Sequence, residues 1–253
     1  MKKLTIVKVG GAVLEDEEKR KDFLSAFSKL KGHKILVHGG GRLADHYLNK
    51  LDIELKKIDG RRITDQETLD VVTMVYAGLV NKKVVAELQS NNQNALGLTG
   101  ADLGLIRSLK RSNVPVDYGF VGDVESVDNY KIAQLLEQET IPVFAPLTFS
   151  KEGQLLNTNA DTIASELAKS FINSFEVQLI FCFELSGVLD EHEQLISEIT
   201  LSQFSDLKRK EIVKGGMIPK LDNAFSVIQK GVKEVRICNY SSLAEKSGTK
   251  LSL

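Results

Sequence analysis

The chain reads as an α/β fold: a mostly parallel sheet with helices on both faces. Short apolar runs alternate with longer amphipathic ones along its whole length, and that alternation builds strand–helix–strand units. The short runs are rich in Val, Ile and Leu without polar alternation, as strands covered on both faces should be. Glycine clusters directly follow the first two runs. Ligands of such sheets bind beyond the carboxyl ends of the strands, so the glycines mark the functional edge.

The first strand spans 4–9 and ends in Val7-Lys8-Val9-Gly10-Gly11. An amphipathic helix follows over 17–30. The second strand, 34–38, ends in Val37-His38-Gly39-Gly40-Gly41 and passes into a helix over 42–51. A long helix over 65–89 carries Val71, Val72, Val75, Leu79, Val80, Val84 and Leu88. An apolar arc that wide asks for a second partner, and a two-fold contact between copies supplies one, so a homodimer is expected. Strand 95–98 comes next. Residues 114–127, with Gly119 and Gly122 inside, read as a hairpin. Helix 129–139, strand 141–145, helix 160–171, strand 177–183, helices 201–210 and 218–230 and strand 234–238 complete the pattern. No internal repeat or low-complexity linker divides the 253 residues, which suffice for one domain of two lobes.

Lys and Arg number 33 against 34 Asp and Glu, a net charge of −1. A general nucleic-acid or membrane-surface binder would show a basic excess, so positive charge for an anionic ligand must be placed locally. Cys182 and Cys238 lie in strand-like runs with no CxxC spacing and read as buried, reduced thiols. Lys8, Gly10 and Gly11 interrupt the N-terminal apolar stretch, which excludes a signal peptide. No stretch approaches the ~20 apolar residues of a membrane span, and a cytoplasmic enzyme is expected.

Two glycine loops at the ends of adjacent strands suit a phosphoryl group in transit. Glycine lets backbone N–H groups converge on an anion, and a helix N-terminus adds partial positive charge. Tight strand-to-helix turns are the alternative for either loop alone. Gly39, Gly41 and Ala44 also satisfy the dinucleotide fingerprint G-x-G-x-x-[GA], with Asp59 some twenty residues on. That dehydrogenase reading leaves Lys8, Gly10 and Gly11 unexplained. The Walker signature is absent.

Taken with Gly60-Arg61-Arg62-Ile63-Thr64, Gly97-Leu98-Thr99-Gly100-Ala101-Asp102, Gly119-Phe120-Val121-Gly122-Asp123-Val124, Asn157-Thr158-Asn159-Ala160-Asp161 and Gly215-Gly216-Met217-Ile218-Pro219-Lys220, these segments resemble the amino acid kinase family. The order and spacing are similar to those of its members that phosphorylate N-acylated glutamate. The resemblance implies a three-layer αβα sandwich around a mainly parallel central sheet. Its N-terminal lobe, about the first 150–175 residues, would hold the amino acid, and its C-terminal lobe ATP. It further implies Gly40, Gly41, Arg62, Asn157 and Asn159 as acylglutamate ligands. Lys8 and Lys220 would stabilise the transferring phosphoryl group, and Asp161 would hold those lysines. Gly10, Gly11, Glu184, Gly187 and Gly216 would serve the nucleotide. Where the family has Asp-Val-x-Gly-Val, this chain has Glu184-Leu185-Ser186-Gly187-Val188, an acid one methylene longer.

The reaction so implied joins the side-chain carboxylate of N-acetyl-L-glutamate, or another N-acylglutamate, to the terminal phosphate of ATP, a step of arginine biosynthesis. With a reference pKa near ~4.3 that carboxylate is already ionised, and no general base is needed. His38 then reads as a residue that orders the loop. Lysine is a compact charge suited to phosphoryl oxygens. Arg62 offers a fork for the α-carboxylate, and neighbouring Arg61 could do the same. Mg²⁺ would travel with the nucleotide, with no dedicated protein ligands. The acyl phosphate is hydrolysed by water, so a lid is expected, and the 114–127 hairpin is the candidate. Other acceptors on the same fold are aspartate, glutamate or an aminoadipate derivative, and a non-catalytic sensor is a further alternative. Aspartate-specific members carry appended regulatory domains for which the chain after Lys220 has no room. A succinyl rather than acetyl group would bring a further negative charge, which cations of the 107–111 run could receive. Arginine-inhibited members carry an extra N-terminal helix. The first strand here begins near Leu4, so strong arginine feedback is not expected.

Overall fold

The structure, a computed structural model, describes residues 1–58, 60–213, 217–245 and 247–253, with their side chains except those of 217 and 219. The chain begins with β1 (Lys2–Val9), α1 (Gly11–Glu15), α2 (Glu17–Ser28), β2 (His33–His38) and α3 (Gly41–Lys50). Two-residue strands β3 (Lys57–Ile58) and β4 (Arg61–Arg62) precede a long helix in three parts: α4 (Gln66–Thr73), a π-helical stretch Met74–Val80 and α5 (Asn81–Ser90). Next come β5 (Ala95–Leu98), β6 (Ile106–Lys110), β7 (Gly122–Val127), α6 (Asn129–Glu137), β8 (Ile141–Phe144), β9 (Leu147–Phe149) and β10 (Leu155–Asn157). The last third runs α7 (Ala160–Ser170), β11 (Phe175–Phe183), β12 (Glu198–Thr200), α8 (Leu201–Arg209), α9 (Met217–Gln229), β13 (Glu234–Asn239) and β14 (Thr249–Ser252).

Helix starts are set by short polar side chains that accept orphan N–H groups. Asp16, Asp65 and Asp128 cap α2, α4 and α6, accepting from the amides of Lys19, Thr68 and Lys131. Thr200 and Gln203 form a capping box on α8.

The residues divide into two compact units, Met1–Leu36 with Ala164–Leu253, and Val37–Ile163. In the first, the strand order is β12-β14-β13-β11-β1-β2. β1, β11 and β13 run parallel, with Lys8 opposite Phe181 and Cys182 opposite Cys238. Among the described pairings of this unit, β14 runs antiparallel to β13 and the others are parallel. Leu4, Ile6, Val7 and Val9 are fully buried, so both faces of β1 are covered, as its unbroken apolar run requires. Cys182 and Cys238 are free, buried thiols with Sγ atoms 3.7 Å apart, and burial pushes the Cys182 thiol up. In the second unit β5 and β8 pair in parallel. A separate sheet of order β10-β9-β6-β7 lies beside the turn that carries Thr64, through bridges Thr64–Gly119 and Val121–Asn157.

One expectation is corrected, and the ground offered for another is removed. The hairpin is formed by β6 and β7, antiparallel, so 114–127 holds its connecting loop and second arm only. The first arm was hidden because Arg107, Leu109 and Lys110 are exposed while Ile106 and Ser108 are buried. That is strand periodicity, in a stretch that reads as a run of cations. The apolar arc of the long helix is also covered within the chain. Val71, Val72, Val75, Val80, Val84 and Leu88 are buried, Leu79 is half-buried, and Met74 is the large apolar residue left exposed on that helix. The breadth of the arc therefore does not by itself call for a second copy. Among the described residues no helix is long and apolar enough to cross a membrane.

Candidate active site

In the first unit Lys8 sits one residue from the end of β1 and is buried. Its Nζ lies 5.2 Å from the centroid of the Phe183 ring, at the end of β11. Lys220, in the first turn of α9, places its Nζ 3.8 Å from the same centroid. One aromatic ring thus receives an ammonium group from a strand and another from a helix, both within cation–π range. The Gly10 amide donates to the Cys182 carbonyl at 3.3 Å, which ties the first glycine loop to β11. Gly11 opens α1. Glu184 pairs with Lys19 at 2.6 Å, and its carbonyl accepts from Asn239 Nδ2 at 2.7 Å. Gly187 has a packing reason to be glycine. A Cβ there would lie 2.6 Å from both Leu195 Cδ1 and Thr249 Oγ1, and the next amide, of Val188, donates to that Oγ1 at 2.8 Å. Gly215 and Gly216 lie outside the described residues.

The second unit holds the expected acceptor residues. Gly40 precedes α3, and its open side faces Tyr76: a Cβ would fall 2.9 Å from Tyr76 Cδ1. Arg62 is buried on β4. Its Nη2 donates to the Gly41 carbonyl at 3.0 Å, and its Nη1 lies 2.7 Å from the Asp45 carboxylate. Asp45 also receives Lys57 at 2.7 Å. Burial raises the Tyr76 phenol, against the opposing pull of the nearby Arg62 guanidinium. Asn157 Nδ2 donates to Thr64 Oγ1 at 3.0 Å. The Asn159 side-chain oxygen accepts from the amides of Asp161 and Thr162 at 2.7 and 3.3 Å. Asn159 therefore caps α7 and Asp161 lies in that helix's first turn.

Of the 107–111 cations, Arg107 pairs with Glu125 and Arg111 with Asp123. Lys110 lies 5.0 Å over the Phe120 ring. The Phe120 amide donates to the Thr64 carbonyl at 2.7 Å, and its carbonyl accepts from the Asn157 amide at 2.9 Å. This run therefore borders Thr64 and Asn157.

His38 is fully buried and its pKa falls to about 4. Burial is the main cause and the nearby Lys82 charge adds to it, while the hydrogen bond to Gly39 opposes both. Sequence reasoning missed Phe183, Asp45, Tyr76, Thr64 and Asn81 as partners of these residues. Asp45 carries a faint signal, four residues after Gly41 and hence on the same helix face. Phe183 and Tyr76 sit in apolar runs with nothing to distinguish them.

The amino acid kinase family model matches residues 3–239. The chain belongs to that family, and its fold is the family's α/β fold, a mostly parallel central sheet flanked by helices. It is a kinase, a phosphotransferase. Acetylglutamate kinase from Parabacteroides distasonis is 52% identical over 254 residues, covering 99% of this chain and 100% of that protein. Acetylglutamate kinase from Bacteroides thetaiotaomicron is 51% identical, covering 98% of each. Among solved structures, the smu.665 protein from Streptococcus mutans superposes with a TM-score of 0.84 at 27% identity over 98% of both chains. The dehydrogenase reading of Gly39, Gly41 and Ala44 falls with this family membership, and its acid, Asp59, lies outside the described residues.

Proposed function

We propose that this protein transfers the terminal phosphoryl group of ATP to the side-chain carboxylate of N-acetyl-L-glutamate, forming an acyl phosphate for arginine biosynthesis. Lys8 and Lys220 on the one Phe183 ring carry the reading. Two anions must be joined, and a pair of ammonium groups lowers the charge developing on the transferring oxygens. The acceptor is ionised at neutral pH. No proton has to be removed from it, and both His38 nitrogens are engaged in hydrogen bonds. Arg62 takes the α-carboxylate. Gly40 and Gly41 present amides to the acceptor, Asn157 and Asn159 border it, and Asp161 supplies balancing negative charge. Gly10, Gly11, Glu184, Gly187 and Gly216 serve the nucleotide, whose phosphate oxygens carry Mg²⁺. The β6–β7 loop is the lid. Homodimerisation belongs to the same proposal, with exposed Met74 the one large apolar residue that the long helix leaves for such a contact. Light scattering showing only monomer would remove it.

The test is incubation with ATP, Mg²⁺ and each acceptor in turn, trapping acyl phosphate with hydroxylamine and following ADP. Hydroxamate should form with N-acetylglutamate, and not with aspartate, free glutamate or acetylated aminoadipate. Equal or faster turnover of an unacylated acceptor would overturn the assignment. Lys110 over Phe120 favours a second reading of the acyl group alone, a succinyl chain whose carboxylate meets Lys110. Relative rates on acetyl- and succinylglutamate decide between them.

A further inference from the structure

The hydrogen bonds around His38 allow a single assignment of donors and acceptors. The Val143 carbonyl can only accept, and it lies 2.9 Å from one terminal atom of the Asn81 carboxamide, so that atom is the amino nitrogen. The Lys82 ammonium can only donate, and it lies 3.2 Å from the other, so that atom is the oxygen. Lys82 is itself anchored on the Gly97 carbonyl at 3.3 Å. The amino nitrogen also lies 3.1 Å from His38 Nε2 and donates to it. Nε2 therefore carries a lone pair, and in a neutral imidazole the proton sits on Nδ1. From there it is donated to the Gly39 carbonyl at 2.9 Å. His38 is 0% and Asn81 1% exposed, so water does not compete. A trans peptide holds its C=O and the following N–H on opposite sides of one plane. Pinning the Gly39 carbonyl therefore aims the Gly40 amide.

We infer that Asn81, its carboxamide oriented by Lys82, acts through His38 as a positioning residue that sets the Gly39–Gly40 peptide and thereby the acceptor-binding amide of Gly40. This rests on the reading of Gly40 as an acylglutamate ligand. Protonation of Nε2 would set two donors against each other, in line with the depressed basicity of this buried ring.

The direct test is ¹⁵N-histidine NMR of the whole protein, the His38 signals being identified by their loss in His38→Asn. Nδ1 should be protonated and Nε2 unprotonated from pH 7 to pH 5. A protonated Nε2 overturns the relay whether or not the kinase reading stands. Kinetics supply the second arm. Asn81→Ala should lower kcat/KM for the acylglutamate on the order of 10- to 100-fold, the scale of a misplaced binding group, with the KM for ATP unchanged. Should Asn81→Ala fail to fold, Lys82→Met, which releases the carboxamide, should show a smaller loss of the same kind. His38→Asn keeps a donor near the Nδ1 position and should recover most activity, whereas His38→Gln should not. Equal activity of those two variants, or equal effects on both substrates, reduces the cluster to packing and sinks the inference. A wild-type enzyme inactive on every acylglutamate would instead remove the functional reading, leaving the tautomer result to decide the relay.

Discussion

Gly40 and Gly41 are adjacent in the same loop, yet alanine should act on them in opposite ways. At Gly40 the constraint that an alanine would meet is space. A Cβ would lie 2.9 and 3.1 Å from Tyr76 Cδ1 and Cε1 and 3.5 Å from Val80 Cγ2. Tyr76 is buried, so its ring has little room to yield. Overpacking of this kind costs about 1–3 kcal/mol, and in a chain of this size each kcal/mol moves Tm by about 2–4 °C. Gly40→Ala should thus melt roughly 2–12 °C below the wild type. At Gly41 the nearest atom to a Cβ is Arg62 Nη2 at 3.9 Å. Gly41→Ala should hold or slightly raise Tm, because glycine is the poorer helix former at the start of α3. Its methyl group would stand beside the Arg62 fork, so KM for the acylglutamate should rise without loss of stability. Thermal and urea unfolding followed by circular dichroism read the first quantity, and steady-state kinetics the second. Tyr76→Leu combined with Gly40→Ala should recover part of the lost Tm. Equal destabilisation by the two alanines, or no recovery in the double variant, would refute the steric account.

Lys8→Ala and Lys220→Ala should each lower kcat by on the order of 10²-fold or more, the scale for groups that stabilise transition-state charge; a raised KM with unchanged kcat would contradict that role. Arg62→Ala should raise KM for the acylglutamate far more than for ATP, by about 1.5–3 kcal/mol for a charged hydrogen bond, and an effect confined to ATP would assign Arg62 to the wrong ligand. His38 predicts an acid sensitivity. Its folded pKa is about 4 against 6.5 unfolded, so the unfolded chain takes up the proton first and stability falls as pH drops through that window. The loss from this group should reach about 2 kcal/mol by pH 5. Urea unfolding of wild type and His38→Asn from pH 7 to pH 5 tests this, and parallel losses in both would exclude His38 as the source.

Long, strongly patterned elements were legible in the sequence because their burial is written in their period. All six expected strands and all seven expected helices correspond to observed elements, with ends shifted by a few residues. Runs such as Leu4 to Val9 read as doubly covered strands because both faces are apolar. The glycine loops and the lysine in β1 were legible for the same reason: each breaks an apolar pattern.

Short strands were not legible. β9 and β10 have three residues each, too few to establish a period, and β6 mixes buried Ser108 with exposed Leu109. The π-helical stretch Met74–Val80 left no mark in the pattern, since side chains there are apolar on any helical period. Tertiary structure alone decided the partners. It set Asp45 and the Gly41 carbonyl on Arg62, Thr64 on Asn157, and Asn81 on His38 across 43 residues of chain. It also covered the apolar arc of the long helix. Sequence periodicity reports how much surface a helix must bury, and the folded chain decides whether its own residues or another molecule bury it.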